Sequence, residues 1–137
     1  ILVPEGIILN QKSVTKEEAI TAAGQLLTDL GYVDKEYIPL MLEREKIVTT
    51  YIGMGLAIPH GTTHDEGIIH KTGIVLIQYP EGIDFGDEKA QLVIGIAGKG
   101  GEHMEILSKI CTALEDETIL EKMKTTDDKE WIMKQLS

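Results

Sequence analysis

A continuous apolar block in the middle of the chain most constrains the fold. Residues 74–77 read Ile-Val-Leu-Ile, with no polar residue between them. A strand that has one face in water alternates apolar and polar residues, whereas a strand covered on both faces is apolar throughout. The block therefore predicts a strand inside a sheet that has helices packed against both of its sides.

Helical patterns towards the N-terminus predict helices that can pack against one side of this sheet. Thr15 and Glu18 have the spacing of a capping box, and apolar residues follow at helical intervals as far as Gly31, which is a stop signal. A second helix is predicted to start after Asp34 and to run towards Lys46, and Pro39 inside it either shifts its start or kinks it.

Strand-like runs separated by turn residues precede a second helical region. The helical period returns from His103, and a last helix is predicted over residues 127–136. These elements predict one α/β domain over residues 1–137, with a mixed, mostly parallel sheet of about five strands flanked by helices on both sides. The predicted strand runs are 6–9, 47–52, 72–79 and 92–97.

The charge and the cysteine content narrow the range of functions. Asp and Glu total 23 against 13 Lys and Arg, which gives a formal charge of -10 and disfavours nucleic acid as a partner. Cys111 is the only cysteine, so an intramolecular disulfide and a cysteine-based zinc site are excluded. No apolar stretch approaches the roughly 18 residues that cross a bilayer, and we expect no signal peptide. We expect a cytoplasmic protein that does not insert into the membrane.

His60 is the first candidate for chemistry. It follows Pro59, which fixes the backbone, and precedes Gly61, which allows a turn and the close approach of another backbone. Small residues upstream, Gly55 and Ala57 among them, keep the approach to the imidazole open. A histidine in such a setting is accessible to a bulky reactant, although the same pattern also fits a turn histidine without a role.

His103 and Arg44 are the other two candidates. His103 follows a glycine-rich turn and opens a predicted helix, where free N–H groups and a partial positive charge favour a bound anion. The alternative is that His103 only flanks the helix start. Arg44 is the only arginine, which hints at a use for its planar guanidinium, although a surface residue at a helix end is the simpler interpretation.

A metal site is disfavoured. His60 and His64 have the spacing of two ligands on a helix, but the proline and glycine beside His60 oppose a helix there. Neither a further cysteine nor an acidic triad completes a known metal pattern. Thr62 and Thr63 offer hydroxyl groups that can orient an imidazole or bind phosphate oxygens. We therefore expect no metal and no cofactor.

Combined, these segments resemble the enzyme IIA components of the phosphoenolpyruvate-dependent sugar phosphotransferase system, in the mannitol/fructose class and closer to its mannitol branch. The resemblance covers nearly the whole chain. The segments that carry it are Arg44-Glu45, Thr50-Tyr51, residues 55–62 (Gly-Leu-Ala-Ile-Pro-His-Gly-Thr) and Glu102-His103.

The resemblance implies a phosphotransferase component that forms a phosphohistidine and acts only with partner proteins. His60 would accept a phosphoryl group from the carrier protein HPr and pass it to a cysteine of the IIB component, for uptake of mannitol or a related polyol or sugar. His103 would donate a hydrogen bond to the phosphoryl oxygens, and Arg44 would contribute its guanidinium to the same oxygens.

Two alternatives and one departure accompany this resemblance. The first alternative is a regulatory phosphohistidine module of the same fold, in transcriptional or nitrogen control. The second is a protein that binds anions or metals and uses its histidines structurally. The departure is Met54, which stands where some mannitol-type members carry an acidic residue. Asp65, Glu66 and Glu102 are the candidate replacements.

Overall fold

The structure is a computed structural model that describes residues 2–61 and 67–137. Several residues named above, the threonine pair at 62 and 63, His64, Asp65 and Glu66, lie outside the described residues. Within the described ranges, no helix is both long enough and apolar enough to cross a membrane.

Five helices and five strands make up the regular structure of the described residues, with short 3₁₀ turns at Pro4–Gly6 and Lys99–Gly101. The helices are α1 (Lys16–Asp29), α2 (Tyr37–Ile47), α3 (His103–Ala113), α4 (Glu117–Met123) and α5 (Lys129–Leu136). The strands are β1 (Ile7–Ile8), β2 (Tyr51–Gly53), β3 (Leu56–Ala57), β4 (Gly73–Phe85) and β5 (Glu88–Ala97).

The five strands form one mixed sheet in the order β1-β4-β5-β3-β2, which confirms the predicted α/β class and strand number. The pairs β1–β4 and β3–β5 are parallel, whereas β4–β5 and β2–β3 are antiparallel. The expectation of a mostly parallel sheet is therefore wrong in that detail. A tight turn at Gly86 joins β4 to β5, and so short a connection permits only antiparallel pairing.

The apolar block at the centre of β4 is covered on both sides, as predicted. Ile74 and Leu76 face a core formed with α3, α4 and α5. Val75 and Ile77 face a second core formed with α1 and α2. All four side chains are at most 4% exposed, and burying each contributes roughly 1.5–3 kcal/mol.

Helix α1 begins and ends as its sequence predicts. The Glu18 backbone N–H donates to Thr15 Oγ1 at 3.1 Å, and the Thr15 N–H donates to Glu18 Oε1 at 3.0 Å, which completes the capping box. Gly31 follows the helix with a φ of 81°, in the left-handed region that favours glycine.

Helix α2 begins after Asp34, as predicted. Its first residue is Tyr37, so Pro39 falls in the first turn, where its missing N–H breaks no helical hydrogen bond. The helix includes Ile47, so the strand predicted over residues 47–52 is wrong at its start, and β2 begins only at Tyr51. Arg44 lies in the last turn of the helix, which brings it towards the strand ends.

Candidate functional site

His60 lies at the end of a backbone segment that extends β3 along β5. Leu56 pairs with Leu92 in β3 and β5, and His60 pairs with Ile96 in a parallel bridge further along. The Ile96 N–H donates to the Pro59 carbonyl at 3.0 Å. His60 therefore stands at the carboxyl ends of two parallel neighbours, which is where open α/β sheets usually bind ligands.

The imidazole of His60 is held by its own backbone. Its Nδ1 lies 2.8 Å from the carbonyl oxygen of Ile58. A carbonyl oxygen can only accept, so Nδ1 carries the proton and the neutral ring has its lone pair on Nε2. The bond assigns the tautomer of the neutral His60 ring, a point that the sequence leaves open.

The pKa of His60 lies below its ordinary value, chiefly because the side chain is buried, with 9% of the residue exposed. The charge of Arg44 and the neighbouring His103 ring also lower the pKa, whereas the Ile58 carbonyl and the Glu45 carboxylate raise it. At neutral pH the ring is therefore uncharged, which is the form that can attack an electrophile.

His60, His103 and Arg44 line one surface cavity of about 560 Å³. The rings of the two histidines have their centroids 6.2 Å apart and are inclined by 29°. The structure thus brings together the three residues that the sequence singled out, although their roles remain predictions. The other lining residues are Thr49, Thr50, Ile52, Ile58, Gly61, Met104 and Leu107.

His103 is the first residue of α3, after the glycine-rich turn that the sequence predicts. Gly98 in that turn lies directly against it. A Cβ atom at Gly98 would come within 2.3–2.5 Å of the N, Cα and Cβ atoms of His103, far inside van der Waals contact. Glycine is required there by this close approach, which sets the position of His103 against the end of β5.

Arg44 is anchored at the edge of the cavity. Its Nη1 donates to the Val48 carbonyl at 2.7 Å, just beyond the end of α2. Among residues 2–61 and 67–137, this is the one acceptor that the guanidinium has within hydrogen-bond distance. Its remaining N–H groups are therefore able to donate to an anion in the cavity.

Two residues that build the site are not among the candidates that the sequence patterns predict, although one of them stands in a segment that carries the family resemblance. The buried Tyr37 hydroxyl accepts the Gly61 N–H and donates to the Ile96 carbonyl, both at 2.7 Å. This fixes the turn after His60 to β5. Glu45 is 5% exposed, and its carboxylate accepts from Thr50. A tyrosine in an apolar helix and a glutamate beside an arginine are typical of a core residue and a surface residue respectively.

Met54, which stands where some mannitol-type members carry an acidic residue, lies on an exposed hairpin turn. Met54 is 55% exposed and has a φ of 56°, between two glycines that also have positive φ. Of the candidate acidic replacements, only Glu102 falls within the described residues. It is exposed and precedes α3 without capping it through its side chain. A role for Glu102 therefore stays a prediction.

No group of three or more His, Cys, Asp or Glu side chains in the described part of the chain could hold a metal ion. His64, the second histidine of the spacing considered in the sequence, lies outside that part.

The chain is similar to known proteins along almost its full length. It is 43% identical over 136 residues to the PTS system mannitol-specific EIICBA component of Escherichia coli (strain K12), covering 97% of this chain and 21% of that protein. The chain thus spans about a fifth of that relative's length. It is 46% identical over 132 residues to the mannitol-specific phosphotransferase enzyme IIA component of Geobacillus stearothermophilus, covering 93% and 91% of the two chains.

The fold agrees with these similarities. Enzyme IIAMTL in the complex of enzyme IIAMTL and phosphorylated enzyme IIBMTL from Escherichia coli superposes with a TM-score of 0.93. It is 41% identical, and the match covers 99% of this chain and 98% of that one. The sequence model of the family described as "Phosphoenolpyruvate-dependent sugar phosphotransferase system, EIIA 2" matches residues 1–137. The resemblance carried by the four short segments is confirmed, and the chain belongs to the EIIA 2 family of the phosphoenolpyruvate-dependent sugar phosphotransferase system.

Proposed function

We propose that residues 1–137 form a mannitol-class IIA domain that carries a phosphoryl group on Nε2 of His60. It accepts the group from phosphorylated HPr and passes it to a cysteine of the IIB component. The observation that carries this proposal is the imidazole itself: it is neutral, its lone pair is assigned to Nε2, and it lies in an open cavity with a second histidine and an arginine.

The transfer follows from the state of the ring. The Nε2 lone pair attacks phosphorus, the bond from phosphorus to the donor imidazole breaks, and its electron pair returns to the donor nitrogen. The proton stays on Nδ1 throughout, hydrogen-bonded to the Ile58 carbonyl. In the second step a cysteine thiolate attacks phosphorus, and the electron pair of the Nε2–P bond returns to His60.

Arg44 and His103 serve the transferring group. Its three equatorial oxygens carry negative charge in the transition state, so the catalytic task is positioning and charge stabilisation. The guanidinium of Arg44 can donate two parallel hydrogen bonds to these oxygens. His103 donates from the N-terminus of α3, an 11-residue helix whose partial positive charge adds to the effect. Neither residue needs a metal for this.

The rim of the cavity supports a protein rather than a small molecule as the reactant. Large apolar side chains are unusually exposed there, and an apolar patch of this kind typically marks a protein interface. Small-molecule sites, in contrast, enclose most of the ligand surface. Ile52 and Met104, which are 46% and 63% exposed, line the cavity, and the exposed Ile47 and Val48 follow Arg44 closely in the chain.

The substrate class and the compartment belong to the same proposal. The relatives with similar IIA segments are described as mannitol-specific, which supports mannitol or a related polyol as the transported sugar. Phosphorylated HPr is a cytoplasmic donor, so we place the domain in the cytoplasm.

Phosphoryl transfer in a purified system tests the proposal. With phosphoenolpyruvate, enzyme I and HPr, the protein should gain one acid-labile phosphate per chain, and His60→Ala should gain none. His70→Ala is the matched control, because His70 is exposed and its Nε2 lies 2.7 Å from Asp34 Oδ1 rather than in the cavity. Normal labelling of His60→Ala would refute the proposal.

The second half of the relay is tested with His103→Ala. We expect this variant to accept phosphate on His60 and to pass it slowly to a mannitol IIB component. If the unchanged protein is labelled normally but no IIB and IIC pair recovers sugar phosphorylation, the regulatory phosphohistidine module replaces the carrier as the better assignment.

A further inference from the structure

A buried carboxylate, that of Glu45, lies beside the site without a part in the transfer described above. Glu45 is 5% exposed, and its two oxygens accept the backbone N–H of Thr50 at 2.9 and 3.1 Å. The Thr50 hydroxyl donates to Oε1 as well. A charge is removed from water only at considerable cost unless it is well hydrogen-bonded. The donors of Thr50 meet that requirement here.

Hydrogen bonds connect this carboxylate to the reactive ring. The Thr50 carbonyl accepts the Ile58 N–H at 3.1 Å. The Ile58 carbonyl in turn accepts from Nδ1 of His60 at 2.8 Å. Thr50 and Ile58 therefore each form hydrogen bonds in both directions, one towards Glu45 and one towards His60. A shift of the Glu45 carboxylate would move the His60 imidazole through these bonds.

The charges around His60 indicate how the negative charge of Glu45 can affect the imidazole ring. Arg44, together with His103 whenever its ring is protonated, places positive charge beside the ring, which suits a phosphoryl group but disfavours a positive ring. Phosphorylation at Nε2 with the proton kept on Nδ1 produces such a ring. Glu45 contributes negative charge at the imidazole and so opposes both of these residues.

We propose that Glu45 is a positioning residue for phosphoryl transfer: through Thr50 and Ile58 it fixes the imidazole of His60, and its buried charge stabilises the positive ring of the phosphorylated state. The inference rests on the proposed function of His60. No proton moves to Glu45 in either step. The carboxylate stays ionised while the P–N bond forms and breaks.

The surroundings of Glu45 leave this charge incompletely neutralised. Lys16 Nζ of α1 lies 3.9 Å from Oε2, too far for a hydrogen bond, and its side chain is 29% exposed. Glu17 and Lys46 complete the charged lining of a small cavity of about 150 Å³ on that side. Because Lys16 is partly hydrated, it offsets only part of the field that Glu45 exerts on His60.

Glu45→Gln separates the charge from the shape, since glutamine keeps the size of the side chain and an acceptor oxygen. NMR titration of the His60 ring should give a midpoint about half a pH unit lower than in the unchanged protein, because a favourable negative charge has been removed. Transfer from phosphorylated His60 to IIB should slow by roughly tenfold, the effect of a misplaced reacting group. Labelling should still occur on His60 alone.

Glu43→Gln is the control, because Glu43 is exposed on the same helix and the substitution changes the net charge equally. It should leave both the midpoint and the rate unchanged. The proposal is overturned if Glu45→Gln shows the same midpoint and the same transfer rate as Glu43→Gln. The titration needs no partner protein, so it gives its answer even if HPr fails to label the chain.

Thr50 provides the second test, which decides the question if Glu45→Gln does not fold. Thr50→Val removes the hydroxyl that donates to Glu45 and should slow transfer. Thr50→Ser keeps that hydroxyl and should recover most of the rate. A Thr50→Val protein that transfers at the unchanged rate would show that the hydroxyl contact from Thr50 to Glu45 has no part in positioning His60.

Discussion

The hydroxyl of Tyr37 gives the sharpest test of how the site is held. It bridges the Gly61 N–H and the Ile96 carbonyl at 2.7 Å each, and Tyr37 is 2% exposed. Tyr37→Phe leaves a buried N–H without this acceptor, which costs about 1–3 kcal/mol, and deprives the Ile96 carbonyl of one donor. We expect a total loss of about 2–3 kcal/mol. At roughly 3–5 °C per kcal/mol for a domain of this size, Tm should fall by about 10 °C.

The same substitution should slow the chemistry more than its effect on stability explains. Gly61 follows His60 directly, so release of Gly61 allows the imidazole to move relative to the cavity. A displacement of the order of 1 Å reduces rates by up to about a hundredfold. Thermal and urea unfolding give the stability, and rapid-quench labelling from phosphorylated HPr at 25 °C, where the variant stays folded, gives the rate.

Tyr51→Phe is the matched control for this prediction. The Tyr51 hydroxyl also accepts a backbone N–H, that of Gly55 at 2.9 Å, but in the β2–β3 hairpin rather than beside His60. Tyr51 is only half-buried, so its loss should reduce stability less and leave transfer unchanged. The reasoning is refuted if Tyr37→Phe unfolds at the original Tm, or if both variants transfer equally fast.

Three further predictions concern the other parts of the site. Arg44→Lys keeps the charge but loses the planar fork, so labelling should slow by about tenfold while the urea midpoint stays unchanged; an unchanged rate would remove Arg44 from the site. Gly98→Ala places a methyl group within 2.5 Å of His103 backbone atoms, and should cost about 1–3 kcal/mol in urea unfolding and slow transfer to IIB. Because the pKa of His60 is lowered in the folded chain, the unfolded chain binds the proton first as the pH falls. Stability should therefore decrease below about pH 6.5, and His60→Ala should lack this part of the decrease in urea unfolding at pH 7.5, 6 and 5.

Sequence patterns predicted a helix or strand correctly where the residues that determine it lie close together in the chain. The capping box at Thr15 and Glu18 closes within one helical turn, and the block at 74–77 needs only its own apolar side chains. The long hairpin was not foreseen, because Pro80 and Gly82 are typical of turns. The structure keeps both within β4, where the register with β5 shifts between Gln78 and Ile83. Such an irregularity depends on the neighbouring strand, which a local pattern does not contain.

The residues of the candidate site also differ in whether the neighbouring sequence predicts them. His60 and His103 are recognisable because glycines and a helix start stand next to them in the sequence. Tyr37 is not, since the two groups that its hydroxyl binds lie 24 and 59 residues further along the chain. Glu45 is also out of reach, because its burial comes from packing that the sequence beside it does not reveal. Contacts of this kind become visible only when the chain is folded.

The single hydrogen bond from Nδ1 of His60 to its own backbone has a kinetic consequence. With that nitrogen committed to the Ile58 carbonyl, Nε2 is the only ring atom that can take a phosphoryl group from the cavity. In the proposed relay, the incoming donor and the outgoing acceptor would approach phosphorus through the same opening, in line with the same nitrogen, and could not occupy it together. The proposed relay would therefore run as two separate half-reactions, and excess unphosphorylated HPr should compete with IIB for the loaded chain.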